Sequence, residues 1–146
     1  MALINKTRYD LEQVENIDLL LPVSTNVFRL ASSVKWFKDK YKSKFLTYKR
    51  MFKTNSLTVS NCELLEKKDD NDVNVVLLPL RLSNFNFIQQ LMYGLENVEN
   101  ICNKHNIYKI ALSKQALASF HSSNLDLDKY LNIAFSDKRL EVLLYK

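Results

Sequence analysis

The sequence has 146 residues, 47% of them hydrophobic and 25% charged, which suits a single domain spanning 1–146 with a substantial core and excludes a disordered chain. No apolar run approaches the roughly 18 residues of a membrane helix, and residues 1–16 mix charged with apolar side chains, so a soluble cytoplasmic protein without membrane contact is expected. The net charge of +5 is concentrated: eight Lys or Arg lie within residues 35–53 beside a single acid, Asp39, and the remainder is slightly negative.

In chain order, a weak alternation at residues 7–11 predicts an edge strand. Residues 17–23 form a short, almost wholly apolar run stopped by Ser24-Thr25-Asn26, the pattern of a strand buried on both faces. From 28 to 52, Val34, Phe37, Tyr41, Phe45, Tyr48 and Phe52 recur at steps of three and four, which predicts one amphipathic helix with its lysines turned outward. A strand over 56–66, a polar turn at 67–72 and a buried strand over 73–82 read as a hairpin. Ser83 stands where it can cap a helix whose apolar positions, among them Phe87, Leu91, Leu95, Val98 and Ile101, keep the helical period until 103–106. A buried strand follows at 107–112, then a Ser- and Ala-rich loop at 113–124, a short helix begun by Asp126, and a last strand at 140–145. This order predicts an α/β fold, a three-layer α/β/α sandwich with a mixed central sheet. Leu20, Val76, Leu78, Ile110 and Val142 are expected on central strands, with Phe37, Phe45, Leu91 and Val98 packing helices against them.

Gly94 is the only glycine, and it falls inside a predicted helix. α/β domains that bind nucleotides hold phosphates with glycine loops, because a residue without Cβ permits positive φ and close backbone approach. The scaffold is therefore expected without that phosphate chemistry. The basic segment offers a second surface: Lys35, Trp36, Lys38, Lys42, Lys49 and Arg50 are candidates for contact with a polyanion, the aromatics stacking on unpaired bases. The same pattern also describes a core stripe with a solvated outer face; Trp36, off the stripe, is the aromatic least explained by burial. Cys62 and Cys102 form no disulfide framework and read as reduced, buried thiols. Cys102 and His105 are too few for a zinc site, so no metal is expected, and Asp126 and Asp128 read as a helix start, not as an acid–base pair. Abundant Lys, Asn and Ile fit the AT-rich genome of a microbe, virus or phage.

Several segments carry a resemblance. Val23-Ser24-Thr25-Asn26, Arg29-Leu30-Ala31-Ser32 and Phe37-Lys38-Asp39-Lys40-Tyr41 resemble, without a gap, the Val-Ser-x-Asp, Met-Gly-Ala-Gly and Phe-Lys-x-Lys-Phe pattern of the macrodomains that remove terminal ADP-ribose from proteins or DNA. Asn106-Ile107-Tyr108-Lys109-Ile110-Ala111-Leu112 is similar to the strand before that family's Gly-Cys-Gly loop, and residues 140–145 resemble its closing strand. The resemblance implies a macrodomain fold and a ligand cleft at Ser24, Asn26, Leu30, Ser32, Ser113, Ala116 and Ala118. The departures fall on the chemistry. Leu30 and Ser32 replace the first pair of glycines, Ala116, Leu117 and Ala118 replace Gly-Cys-Gly, Ser119-Phe120-His121 stands where a Leu-Asp pair is found, and Arg81 only neighbours the position of the catalytic lysine. The expectation is a non-catalytic, macrodomain-like binding protein with no catalytic residue and no cofactor, weak or absent ADP-ribose binding, and a protein or nucleic-acid partner. The alternative is ADP-ribose binding, or its removal, through an altered cleft.

Overall fold

The apolar runs become strands because nearly every residue in them has core on both sides. In β2 (Asp18–Ser24) and β4 (Val75–Leu80) alternate side chains enter opposite layers: Leu19, Leu21 and Val23 face one, Leu20, Val76, Leu78 and Leu80 the other. The computed structural model describes residues 3–82, 86–121, 126–137 and 139–146. With β1 (Leu3–Lys6), β3 (Glu63–Leu65), β5 (Lys109–Ser113) and β6 (Glu141–Tyr145), these strands make a six-stranded sheet in the order β1-β6-β5-β2-β4-β3. All pairs are parallel except β3 with β4, so the sheet is mixed.

One face carries the long helix α3 (Phe87–Lys104) and α5 (Leu127–Ala134), which bury Leu91, Leu95, Val98, Leu127 and Leu131 against Leu20, Val76, Leu78, Ile110 and Val142. The other carries α1 (Phe37–Lys40) and α2 (Lys42–Lys53), with Val34, Phe37 and Tyr48 fully buried on Leu19, Leu21, Val75 and Leu77. The three layers and the central strand residues are as the sequence predicts; Phe45 packs only partly buried. Among the described residues no helix is long and apolar enough to cross a membrane.

Four expectations about elements are corrected. The first strand is residues 3–6, not 7–11; it pairs with β6, and Leu11–Gln13 is a 3-10 turn with Leu11 in the core. The helix over 28–52 is broken: an extended loop, a 3-10 turn at Ser32–Val34, α1, then a kink at Tyr41 (φ −126°, ψ 62°) before α2. Only 63–65 of the strand over 56–66 pairs with β4, because Thr58 and Asn61 first form a tight bridge. Residues 114–118 of the presumed loop are α4 (Lys114–Ala118), capped by Ser113, whose Oγ accepts from the Ala116 N–H at 3.1 Å. The residue before α3 is Asn86, in the left-handed region and making no side-chain cap; Ser83 lies outside the described residues. At α5 the cap is Asp126, whose carboxylate accepts the Lys129 N–H at 3.2 Å.

The glycine shortage has a structural counterpart. Positive φ is taken by Asn16, Asn55, Asn86, Asn106 and Ser60, asparagine being the residue that tolerates this region best after glycine. Gly94 serves close packing instead: a Cβ there would lie 2.4 Å from Leu78 Cδ1, where α3 presses on β4.

Candidate functional site

β2 and β5 are parallel neighbours, and the loops that leave their C-terminal ends meet. Ser24, buried at the end of β2, spends its hydroxyl locally: Oγ donates to Asn26 Oδ1 at 2.9 Å and accepts the N–H groups of Asn26 and Val27 at 3.2 and 3.0 Å. Asn26 Oδ1 also accepts the Leu82 N–H at 2.9 Å. Both side chains therefore shape the loop and bind it to the end of β4.

Ser113 is completely buried and joins three segments. Its Oγ donates to the Lys146 carbonyl at 2.5 Å, accepts the Ala116 N–H, and lies 3.1 Å from Ser33 Oγ. Since a hydroxyl has one proton, Ser33 is the donor in the last contact. The loop after β2 and the turn into α4 are thus tied across the end of the sheet by Ser33, which the sequence did not single out; its neighbour Ser32 is exposed. Ala116 is buried and Ala118 exposed on α4. Positive φ occurs at none of Leu30, Ser32, Ala116 and Ala118, so the backbone follows ordinary geometry at each position where the resemblance would place glycine.

Leu30 lies elsewhere. With Phe28, Phe45 and Tyr48 it walls an apolar cavity of about 300 Å³ between the loop after β2 and α2, at which Arg29, Lys35 and Lys38 also stand. Phe28 folds back so that its ring centroid is 5.8, 5.3 and 5.3 Å from those of Phe45, Tyr48 and Phe52. Tyr48 is fully buried, its hydroxyl has no hydrogen-bond partner among the described residues, and burial pushes its pKa up to about 12. The sequence showed Tyr48 and Phe45 only as stripe residues, and Phe28 and Arg29 lay just ahead of the basic segment.

The basic face is divided. Lys35 and Lys38 border the cavity; Lys42 borders a separate hollow with Lys40, Lys44, Lys68 and Asp72; Lys49 is half-buried and Arg50 exposed. Two expectations change. Lys44 does not face outward: it is 4% exposed and pairs with Asp72 in the turn between β3 and β4. Burial pushes the Asp72 carboxyl up, but hydrogen bonds from Lys44 and from the backbone N–H groups of Lys68 and Val73 outweigh it and hold the carboxyl below its ordinary 3.8. Trp36 is accounted for by packing: Nε1 donates to the Ser33 carbonyl at 2.8 Å and the ring meets Tyr41 edge-on at 6.5 Å, with Lys40 Nζ 5.7 Å from its centre.

Cys62 and Cys102 are buried, with thiols pushed up to about 12 chiefly by burial; His105 is exposed and His121 packs on the Phe87 ring at 5.1 Å. Among the described residues no three metal-ligating side chains gather.

A mixed sheet in this strand order, covered by helices on both faces and with two loops meeting over β2 and β5, is the macrodomain fold. The chain is similar over 99% of its length to the macrodomain of Mycobacterium tuberculosis DarG, with a TM-score of 0.80, 17% identity and 98% of that chain covered. Its whole length matches the macrodomain of Thermus aquaticus DarG, with a TM-score of 0.77, 13% identity and 99% of that chain covered. Thermosipho africanus DarTG, solved in complex with ADP-ribose, matches 99% of this chain with a TM-score of 0.77 and 14% identity, over 42% of its own length. No family model and no curated protein matches the sequence.

Proposed function

We propose that this chain is a non-catalytic, macrodomain-like binding module whose ADP-ribose cradle has been replaced by a tied pair of loops, and which acts through protein or nucleic-acid contacts on its basic face. The observation that carries the reading is Ser113: buried, and bonded at once to Ser33, Ala116 and Lys146. A diphosphate cradle needs backbone N–H groups turned toward the ligand, which glycine permits through positive φ. Here the Ala116 N–H is taken by Ser113, and the four substituted positions keep ordinary backbone angles. Ser24 and Asn26 are likewise engaged with their own loop.

Calorimetric titration with ADP-ribose tests this. No saturable heat is expected even at about millimolar ligand, the range of weak complexes. Micromolar binding lost on Ser113→Ala would overturn the reading in favour of the ADP-ribose-binding alternative, which the complex of the Thermosipho protein supports. For the basic face, wild-type protein should retard nucleic acid at low salt and release it steeply as salt rises, because counterion release dominates such binding. Lys42→Glu with Lys49→Glu should abolish the shift without altering the melting transition. A folded protein that gives no shift at low salt removes nucleic acid as the partner and leaves an acidic protein surface.

A further inference from the structure

The outward faces of the two helix layers match one another in shape and charge. Between α3 and α5 runs a groove of about 360 Å³ walled by Met92, Tyr93, Ile133 and Ala134 and edged by Glu96 and Glu99. On the opposite side of the sheet, Leu46 stands out from α2 with Lys42, Lys49 and Arg50 around it. We propose that the groove takes the α2 face of a second copy of this chain, with Leu46 seated between Tyr93 and Ile133 and the cations against the two glutamates. The inference rests on the basic face being a contact surface and names its acidic protein partner.

Three features select this occupant. The first is apolar surface left in water: Tyr93 is 68% exposed, Ile133 59% and Leu46 56%, and an exposed tyrosine beside a hollow is a common anchor of protein interfaces. The second is charge. Glu96 and Glu99 edge the groove, no Lys or Arg among the described residues lines it, and neither glutamate forms an ion pair among those residues. Glu99 is held in place by the N–H groups of Ser136 and Asp137, which donate to its carboxylate at 2.6 and 2.9 Å, so it is oriented without being neutralised. Lys42, Lys49 and Arg50, at four before and three and four after Leu46, share its side of the helix and are likewise outside any ion pair among the described residues. The third is placement. α2 packs on one face of the sheet and α3 and α5 on the other, so no copy can fill its own groove. A two-fold contact would set cations against cations or glutamates against glutamates, which opposes association. Only a head-to-tail contact pairs unlike charges, and it leaves one groove and one α2 face free at the ends for further copies.

The test is sedimentation equilibrium of the nuclease-treated chain over a range of concentrations. The average mass of the wild type should rise above that of the monomer by about 1 mM, the range of weak complexes, and fall back at high salt, where charges are screened within about 3 Å. Leu46→Glu and Tyr93→Ala, both at exposed positions, should keep the wild-type melting transition and each weaken association about tenfold or more. Mixed in equal amounts they should associate again, because Leu46→Glu keeps an intact groove and Tyr93→Ala an intact α2 face, and the complex should stop at two chains. The proposal is overturned if the folded wild type stays monomeric at about 1 mM in low salt, if either variant associates as the wild type does, or if the mixture stays monomeric or grows past two chains. Tyr93 lies across the sheet from the basic face, so Tyr93→Ala should leave the nucleic-acid shift unchanged, and the two failures are distinguishable: a shift without association discards only the second copy, and association without a shift only the nucleic acid.

Discussion

Removing the charge of Asp72 while keeping its shape is the sharpest perturbation of the fold. Asp72→Asn leaves the Lys44 ammonium, on a side chain only 5% exposed, without its counter-charge. Breaking a buried pair from one side costs about 3–5 kcal/mol. The hollow of about 220 Å³ bordered by Lys40, Tyr41, Lys44 and Asp72 admits water, which places the cost at the lower end, about 3 kcal/mol. At about 2–4 °C per kcal/mol for a chain of this size, Tm should fall by about 6–12 °C. Lys44→Met removes the same pair from the other side, yet Asp72 keeps the Lys68 N–H at 2.9 Å and is 17% exposed, so its cost should stay under about 1 kcal/mol. The double variant should come within about 1 kcal/mol of wild type, since neither charge is then stranded. Urea denaturation of the four proteins at neutral pH gives the cycle. Its pH dependence has a definite sign: the folded carboxyl lies below its ordinary 3.8, so the pair contributes fully above that value and its contribution is lost as pH falls through the lower, folded one. The gap between wild type and Asp72→Asn should close over that acid window. An Asp72→Asn cost no larger than that of Lys44→Met, or a double variant as unstable as the sum of the singles, would refute the reasoning.

Three further outcomes are expected. Gly94→Ala gains up to about 1 kcal/mol of helix propensity but forces a methyl to 2.4 Å from Leu78 Cδ1; overpacking costs about 1–3 kcal/mol, so urea denaturation should show a net loss that Leu78→Val partly restores. Tyr48→Phe deletes a buried hydroxyl without a partner among the described residues and should leave the chain as stable or about 1 kcal/mol more stable; a loss above about 1 kcal/mol would mean that the hydroxyl is hydrogen-bonded. Cys62 and Cys102, with thiols pushed up to about 12, should stay silent to a thiol reagent at mildly alkaline pH and both react in denaturant; rapid labelling of the native chain would contradict their burial.

The elements legible in the sequence were those with a long period or a fully apolar run: α3 through Leu91, Leu95 and Val98, and β2 and β4 through unbroken hydrophobic stretches. The kink at Tyr41 was not legible, because a 3-10 turn followed by two helical segments keeps Val34, Phe37 and Tyr41 on one face as a single helix would, and no glycine or proline marks the break. α4 left a faint trace in Ser113 and Ala116, a cap spacing hidden by the serine-rich composition around it. Lys44 read as a surface cation because its partner is 28 residues away and nothing local announces it. The tie between the loop after β2 and α4 was not legible, since Ser32 and Ser33 differ only in which side of a 3-10 turn they occupy. The cavity at Phe28 and Tyr48 depends on a loop folding back, which no periodicity records.

The strand order also bears on biosynthesis. β1, the first strand to be made, hydrogen-bonds only to β6, the last, and β6 in turn stands between β1 and β5. The inner strands β2, β4 and β5 can assemble while the polypeptide is still growing, but residues 3–6 have no strand to join until 141–145 are made. Pairing across so long a stretch of chain is slow to form, and until it does β5 presents an open edge of the kind that recruits other polypeptides. A ribosome stalled before residue 141 would therefore hold a product with β1 unpaired and one edge of β5 open, a target for chaperones and proteases that the finished sheet is not.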